Sequence, residues 1–119
     1  MFIVEVYKKA SGKCPLKDYL SELTKQSKTA EITQIVHYIK LLEEFGLTIN
    51  NVHRQAVKAV RDGIFELRPG KNRVFFFTFI NNRIILLHAF RKQSQKTPDN
   101  EIEKAVNEMN DYKRRYENE

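Results

Sequence analysis

The amino-acid sequence predicts an α+β domain: a small, mostly antiparallel sheet preceded by a helical hairpin and followed by a C-terminal helix. Three observations carry this. Apolar residues recur at helical spacing between Pro15 and Gly46, strand-like runs separated by turn residues follow Gly63, and helical spacing returns after Pro98. The 119 residues suit a single domain, 1–119, and are short for two.

Phe2 to Tyr7 is apolar and β-branched apart from Glu5, and reads as a strand buried on at least one face. SGKCP breaks it. Pro15 suits a first helical turn, and Leu16, Tyr19, Leu20 and Leu23 continue a short helix to about Thr24. In the next helix Ile32, Ile35, Val36, Ile39 and Leu42 form one stripe, with Ser27 or Thr29 as N-cap and Gly46 as terminator. Leu47 to Val60 mixes turn residues with a short apolar run, and reads as a loop with room for a strand. Then come IFELR, a PGKN turn, RVFFFTFI, an Asn81–Asn82 turn and RIILLHAF: a three-stranded meander. Thr97 is the expected cap of the last helix and Pro98 its first turn. Asp99 and Glu101 suit the positive helix end, and Ile102, Ala105, Val106, Met109, Tyr112 and Tyr116 make its apolar stripe.

Composition narrows the function. With 41% hydrophobic and 30% charged residues the chain has both a core and a polar surface, and disorder is excluded. No stretch reaches the roughly 18 uninterrupted apolar residues of a membrane helix, and Glu5 with two lysines stands where a signal peptide needs its apolar region. A cytoplasmic protein without membrane association is expected. Cys14 is alone, and three scattered histidines offer no zinc spacing, so neither a structural metal nor a cofactor is expected.

The charge is +6, and it is concentrated. From Leu67 to Pro98 there is no acidic residue, yet Arg68, Lys71, Arg73, Arg83, Arg91, Lys92 and Lys96 lie there; the other 14 basic residues face 15 acidic ones, 14 − 15 = −1. Such a segment points to a polyanion, the plain alternative being a solvated face without a ligand.

The turns set a register. A two-residue Asn-Asn loop pairs Ile80 with Arg83, Phe75 with His88 and Arg73 with Phe90, while the PGKN turn pairs Arg68 with Arg73 and Glu66 with Phe75. Alternation then puts Phe65, Leu67, Val74, Phe76, Thr78, Ile80, Ile85, Leu87 and Ala89 on a face for helices to cover. The opposite face carries Ile64, Phe75, Phe77, Phe79, Leu86 and Phe90 with a polar end, where Arg68, Arg73, His88 and Lys92 converge around Glu66. Cations so placed repel one another unless an anion completes the site. Glu66 either pairs and orients an arginine or accepts a proton, and the bland role of His88 is a satisfied sheet histidine. His37 and His53 default to structure, the Phe75–Phe77 run to core packing rather than base stacking, and the Tyr112–Tyr116 patch to a solvated helix end.

The run VRDGIFELRPGKNRVFFFTFINNRIILLHAFRKQSQKTPDNEIEKA resembles the signature of the RelE/HigB superfamily of bacterial toxins, in its phage-derived HigB-like branch. The shared elements are a D-G-x-x-E-L-R strand (Asp62 to Arg68), an R-hydrophobic strand (Arg73 to Ile80), a hydrophobic strand ending in H-x-F (Ile84 to Phe90), a basic pair (Arg91 with Lys92) and T-P before a helix (Thr97 with Pro98). The resemblance covers about Arg61 to Ala105, and the upstream order of elements agrees more loosely.

That resemblance implies a RelE-like fold and a type II toxin: a metal-independent endoribonuclease that cuts mRNA in the ribosomal A site, with ribosomal RNA as a second contact and a HigA-type helix-turn-helix antitoxin as cognate partner. It assigns Arg73 to a phosphate and Lys92 to the scissile phosphate or leaving group. Glu66 joins them as the third catalytic candidate, and Arg68, Arg91, His88 and Lys96 are expected to hold RNA. Glu66 departs from the family pattern, which places basic residues on that strand. Gln93 to Pro98 also lacks the aromatic residue that RelE carries after its basic pair. The competing readings are a non-hydrolytic RNA- or ribosome-binding module and a basic groove for an acidic peptide.

Overall fold

The computed structural model describes residues 1–117. Its elements run β1 (Ile3–Val6), α1 (Pro15–Lys25), α2 (Thr29–Phe45), a 3₁₀ helix (Gly46–Asn51), β2 (Val57–Arg61), β3 (Ile64–Leu67), β4 (Asn72–Phe79), β5 (Arg83–Arg91) and α3 (Asp99–Glu117). The five strands form one mixed sheet in the order β1-β5-β4-β3-β2. β1 lies parallel to β5, and every other pair is antiparallel. This is the expected α+β class, and the arrangement is consistent with a RelE-like fold. Among the described residues no helix is long and apolar enough to cross a membrane.

Both faces of the sheet are covered. On one, α1 and α2 contribute Leu16, Leu23, Ile35 and Leu42 to a core with Leu67, Val74 and Phe76. On the other, α3 contributes Ile102, Ala105 and Met109 to a core with Ile64, Phe75, Phe77 and Phe90. Three consecutive phenylalanines, Phe75–Phe77, are each at most 1% exposed, which requires a central strand with a layer on either side. Each contributes about 1.5–3 kcal/mol by its burial.

The helices correct three expectations. Neither Ser27 nor Thr29 caps α2: Lys28 holds the N-cap position without a side-chain bond, because Ser27 adopts φ +59° in the tight connection from α1. Gly46 does terminate that helix, at φ +58°. Val36 faces solvent at 39% exposure and Tyr38 is buried in its stead. Thr97 does not cap α3 either. Pro98 supplies the carbonyl that accepts from Glu101 and Ile102, and the threonine hydroxyl is engaged elsewhere.

The meander is as expected from Phe65 to Val74, with Glu66 opposite Phe75. The Asn81–Asn82 turn has both residues at φ +59°, and Arg83 N–H donates to Ile80 O at 3.3 Å. The ladder beyond it pairs Phe79 with Arg83, one residue from the expected partner, and a bulge between Val74 and Phe76 restores Arg73 opposite Phe90. A single-residue slip reverses side-chain direction. Ile84 and Leu86 therefore join the hairpin-side core, Ile85 and Leu87 the α3 side, opposite to the alternation expected for 85–87, and Ile80 is 54% exposed.

Candidate functional site

Four strands supply the walls of a small pocket at one end of the sheet. It is lined by Lys58 of β2, Glu66 of β3, Arg68 just beyond it, Arg73 of β4, Phe90 of β5, and Lys92 to Pro98 on the way to α3. Five cations (Lys58, Arg68, Arg73, Lys92 and Lys96) surround one carboxylate, an excess of 5 − 1 = +4.

Glu66 sits at the centre and is 1% exposed. Its Oε2 lies 3.6 Å from Arg68 Nε and 3.8 Å from Arg73 Nε, and its Oε1 accepts the Thr97 hydroxyl at 2.7 Å. The carboxylate is therefore a shared counter-ion held in place at the wall of the pocket. Arg73 is 6% exposed and donates Nη1 to Gly70 O at 2.7 Å and to Asn72 O at 2.9 Å. Those bonds fold it back against its own turn. Gly70 fits there at φ +64°, a conformation that favours glycine, and a Cβ would stand 2.6 Å from Gln34 Oε1. Burial and the neighbouring Arg68 guanidinium pull the Arg73 pKa below that of free arginine, and Glu66 opposes them.

Arg68 Nε is buried and has no hydrogen-bond partner among the described residues. A buried unsatisfied donor on a cation costs about 1–3 kcal/mol or more, and an anionic oxygen in the pocket would remove that cost. Lys58, Lys92 and Lys96 rim the cluster, Lys92 half-buried and the other two exposed.

The structure thus brings together Arg73, Lys92, Glu66, Arg68 and Lys96. It separates two expected RNA contacts from them. His88 does not converge on Glu66: it is 2% exposed, with Nδ1 2.6 Å from Glu108 Oε1 and Nε2 3.0 Å from Glu101 Oε1, both carboxylates of α3. Arg91 turns to the opposite face and pairs with Glu31 of α2, because it is odd in the alternation that sends Lys92 to the pocket.

Sequence reasoning missed Lys58, which lies opposite Glu66 in the β2–β3 ladder. The short apolar run around Val57 was its only signal, since reading that run as a strand antiparallel to IFEL brings Lys58 beside Glu66. Thr97 was assigned the wrong partner, its resemblance to a capping threonine hiding a long-range bond.

The fold and pocket define a small α+β protein whose cationic cleft is built on the edge of a meander. The chain belongs to the family of phage-derived Gp49-like proteins, whose family model matches residues 18–110, a span that includes the lining residues Lys58 to Pro98. Comparison with curated proteins gave no match.

Proposed function

We propose that this protein is the toxin of a type II toxin–antitoxin pair, of the HigB-like branch, and that it cuts mRNA in the ribosomal A site without a metal. The observation that carries the reading is the excess of four positive charges over Glu66 in one pocket. In the reaction the RNA 2′-oxygen bonds to the adjacent phosphorus and the P–O5′ bond breaks. The 2′-hydroxyl proton is lost, the leaving 5′-oxygen gains one, and a 2′,3′-cyclic phosphate and a 5′-hydroxyl result. The phosphorane is more anionic than the ground state, so charge-assisted donors bind it preferentially. Lys92 is the donor nearest to the leaving group in this reading; Arg68 and Arg73 hold phosphate oxygens, and Lys58 and Lys96 hold flanking phosphates. A HigA-type antitoxin would neutralise the toxin, and ribosomal RNA would supply its second contact.

The second reading is a non-hydrolytic RNA- or ribosome-binding module. One observation favours it: among the described lining residues the one carboxylate is buried and bonded, and there is no histidine, so neither a free carboxylate nor an imidazole stands ready as general base.

Induction from a repressed promoter, with growth and mRNA ends measured beside Lys92→Ala and Arg73→Ala, separates the two. Growth arrest with new cyclic-phosphate ends inside translated frames, falling on the order of 10²-fold in Lys92→Ala, supports the nuclease. Ribosome association without new ends supports the module. Folded, soluble protein that does neither overturns both.

A further inference from the structure

The rung of the sheet next to the pocket is held from the opposite face. Asn72 opens β4, Arg91 closes β5, and the two are Cα partners. Both side chains meet Glu31 of α2, whose Oε1 accepts from Asn72 Nδ2 at 2.9 Å and from Arg91 Nη1. Asn72 Oδ1 in turn accepts from the hydroxyl of Tyr19 on α1. Asn72 is fully buried, so its amide depends on these partners. One carboxylate oxygen of the helical hairpin thus pins two strands at a single rung.

Alternation sends the next residue of each strand the other way, and those residues are Arg73 and Lys92 of the pocket. Each is one peptide bond from the pinned rung. Lys92 N–H donates to Lys71 O at 2.8 Å, which carries the ladder one step further, and Arg73 leans on the Asn72 carbonyl itself. A charge-assisted bond and an amide bond on one oxygen add direction, at this rung, to the apolar packing of the hairpin on the sheet. We infer that Glu31 is a positioning residue for the anion pocket, fixing the spacing of Arg73 and Lys92 by clamping the Asn72–Arg91 rung from the far side of the sheet. That the pocket holds an RNA phosphate rests on the function proposed above; the clamp does not.

The test uses the full chain as wild type, Glu31→Ala and Glu31→Gln, each held well below its own unfolding temperature. Affinity for inorganic phosphate, cleavage of translated mRNA, hydrogen exchange at the Lys92 amide and the NMR resonance of Arg73 Nε–H are read together. Glu31→Ala is expected to weaken phosphate binding and cleavage on the order of tenfold, short of the 10² that a misplacement of about 1 Å costs. It is also expected to speed exchange at Lys92 more than elsewhere in the sheet and to shift Arg73 Nε–H. Glu31→Gln keeps an acceptor oxygen and restores most of the loss. A folded Glu31→Ala with unchanged Lys92 exchange and an unmoved Arg73 resonance overturns the inference. So does exchange that rises evenly across the sheet, which is what plain structural support would give. Should the wild type neither bind phosphate nor cut RNA, the function proposed above falls, and the exchange and resonance measurements still decide the clamp.

Discussion

Thr97 donates its hydroxyl hydrogen bond to Glu66 Oε1 at 2.7 Å, across a sequence separation of 31 residues. The bond ties the segment between β5 and α3 to the middle of β3, and it forms the floor on which the cations of the pocket stand. Thr97→Val keeps the shape and removes the donor. The expected result is a loss of about 1–2 kcal/mol in denaturant unfolding, the cost of leaving a buried acceptor short of one partner. Unchanged stability would show that Oε1 finds another donor.

Glu66→Gln separates stability from anion affinity. The two arginines lose their common counter-ion, and because both contacts are long, at 3.6 and 3.8 Å, the cost is expected near 2 kcal/mol rather than the 3–5 of a tightly bonded buried pair. The charge excess rises by one, so phosphate should bind the variant more tightly than the wild type and restore part of its melting temperature. A variant that loses phosphate binding while folded would make Glu66 a direct participant in anion recognition.

The rim lysines set the salt dependence. Lys58→Ala, Lys92→Ala and Lys96→Ala should each weaken binding of single-stranded RNA and flatten the plot of log affinity against log salt by about 0.7. His88→Gln should leave that slope alone, since His88 is enclosed by α3. Fluorescence anisotropy across a salt series reads all four variants, and a slope that ignores the lysines would remove the pocket from RNA binding.

Local turn chemistry made much of this legible. The PGKN turn fixes Glu66 opposite Phe75, and with it the meeting of Arg68 and Arg73 on one face. Parallel pairing of β1 with β5 was not legible, because no short turn joins them. The bulge lies on β5, where Leu87 and His88 together face Phe75, and no turn residue in RIILLHAF marks it, so the assignments for 85–87 reversed. His88 and Arg91 left the predicted site for partners on helices. For His88 a signal existed: Glu101 and Glu108 are seven residues apart on α3, two turns along one face, and Glu108 interrupts an otherwise apolar stripe. The pull of Glu31 on Arg91 had no such mark.

The ties between β1 and α3 predict the shape of the pH–stability curve. Tyr7 donates to Asp111 Oδ2 at 2.6 Å, and Tyr112 donates to Glu5 Oε2 at 2.8 Å. Burial, then the carboxylate each one faces, pushes both phenols up to about 12 from an ordinary value of 10. A raised pKa stabilises the fold fully below the unfolded value and ceases to do so as pH climbs through the folded one, so stability should decline between about pH 10 and 12. The carboxyl of Asp111 is held below its ordinary 3.8 by the Tyr7 hydroxyl first and by Arg115 next. Its contribution is complete above that ordinary value and is lost as pH falls through the lower folded one. Titration of the phenolate absorbance should show Tyr7 and Tyr112 ionising near 12, and Tyr7→Phe should flatten the alkaline limb. Ionisation of Tyr7 and Tyr112 near pH 10 in the folded protein would mean that neither bond persists in solution.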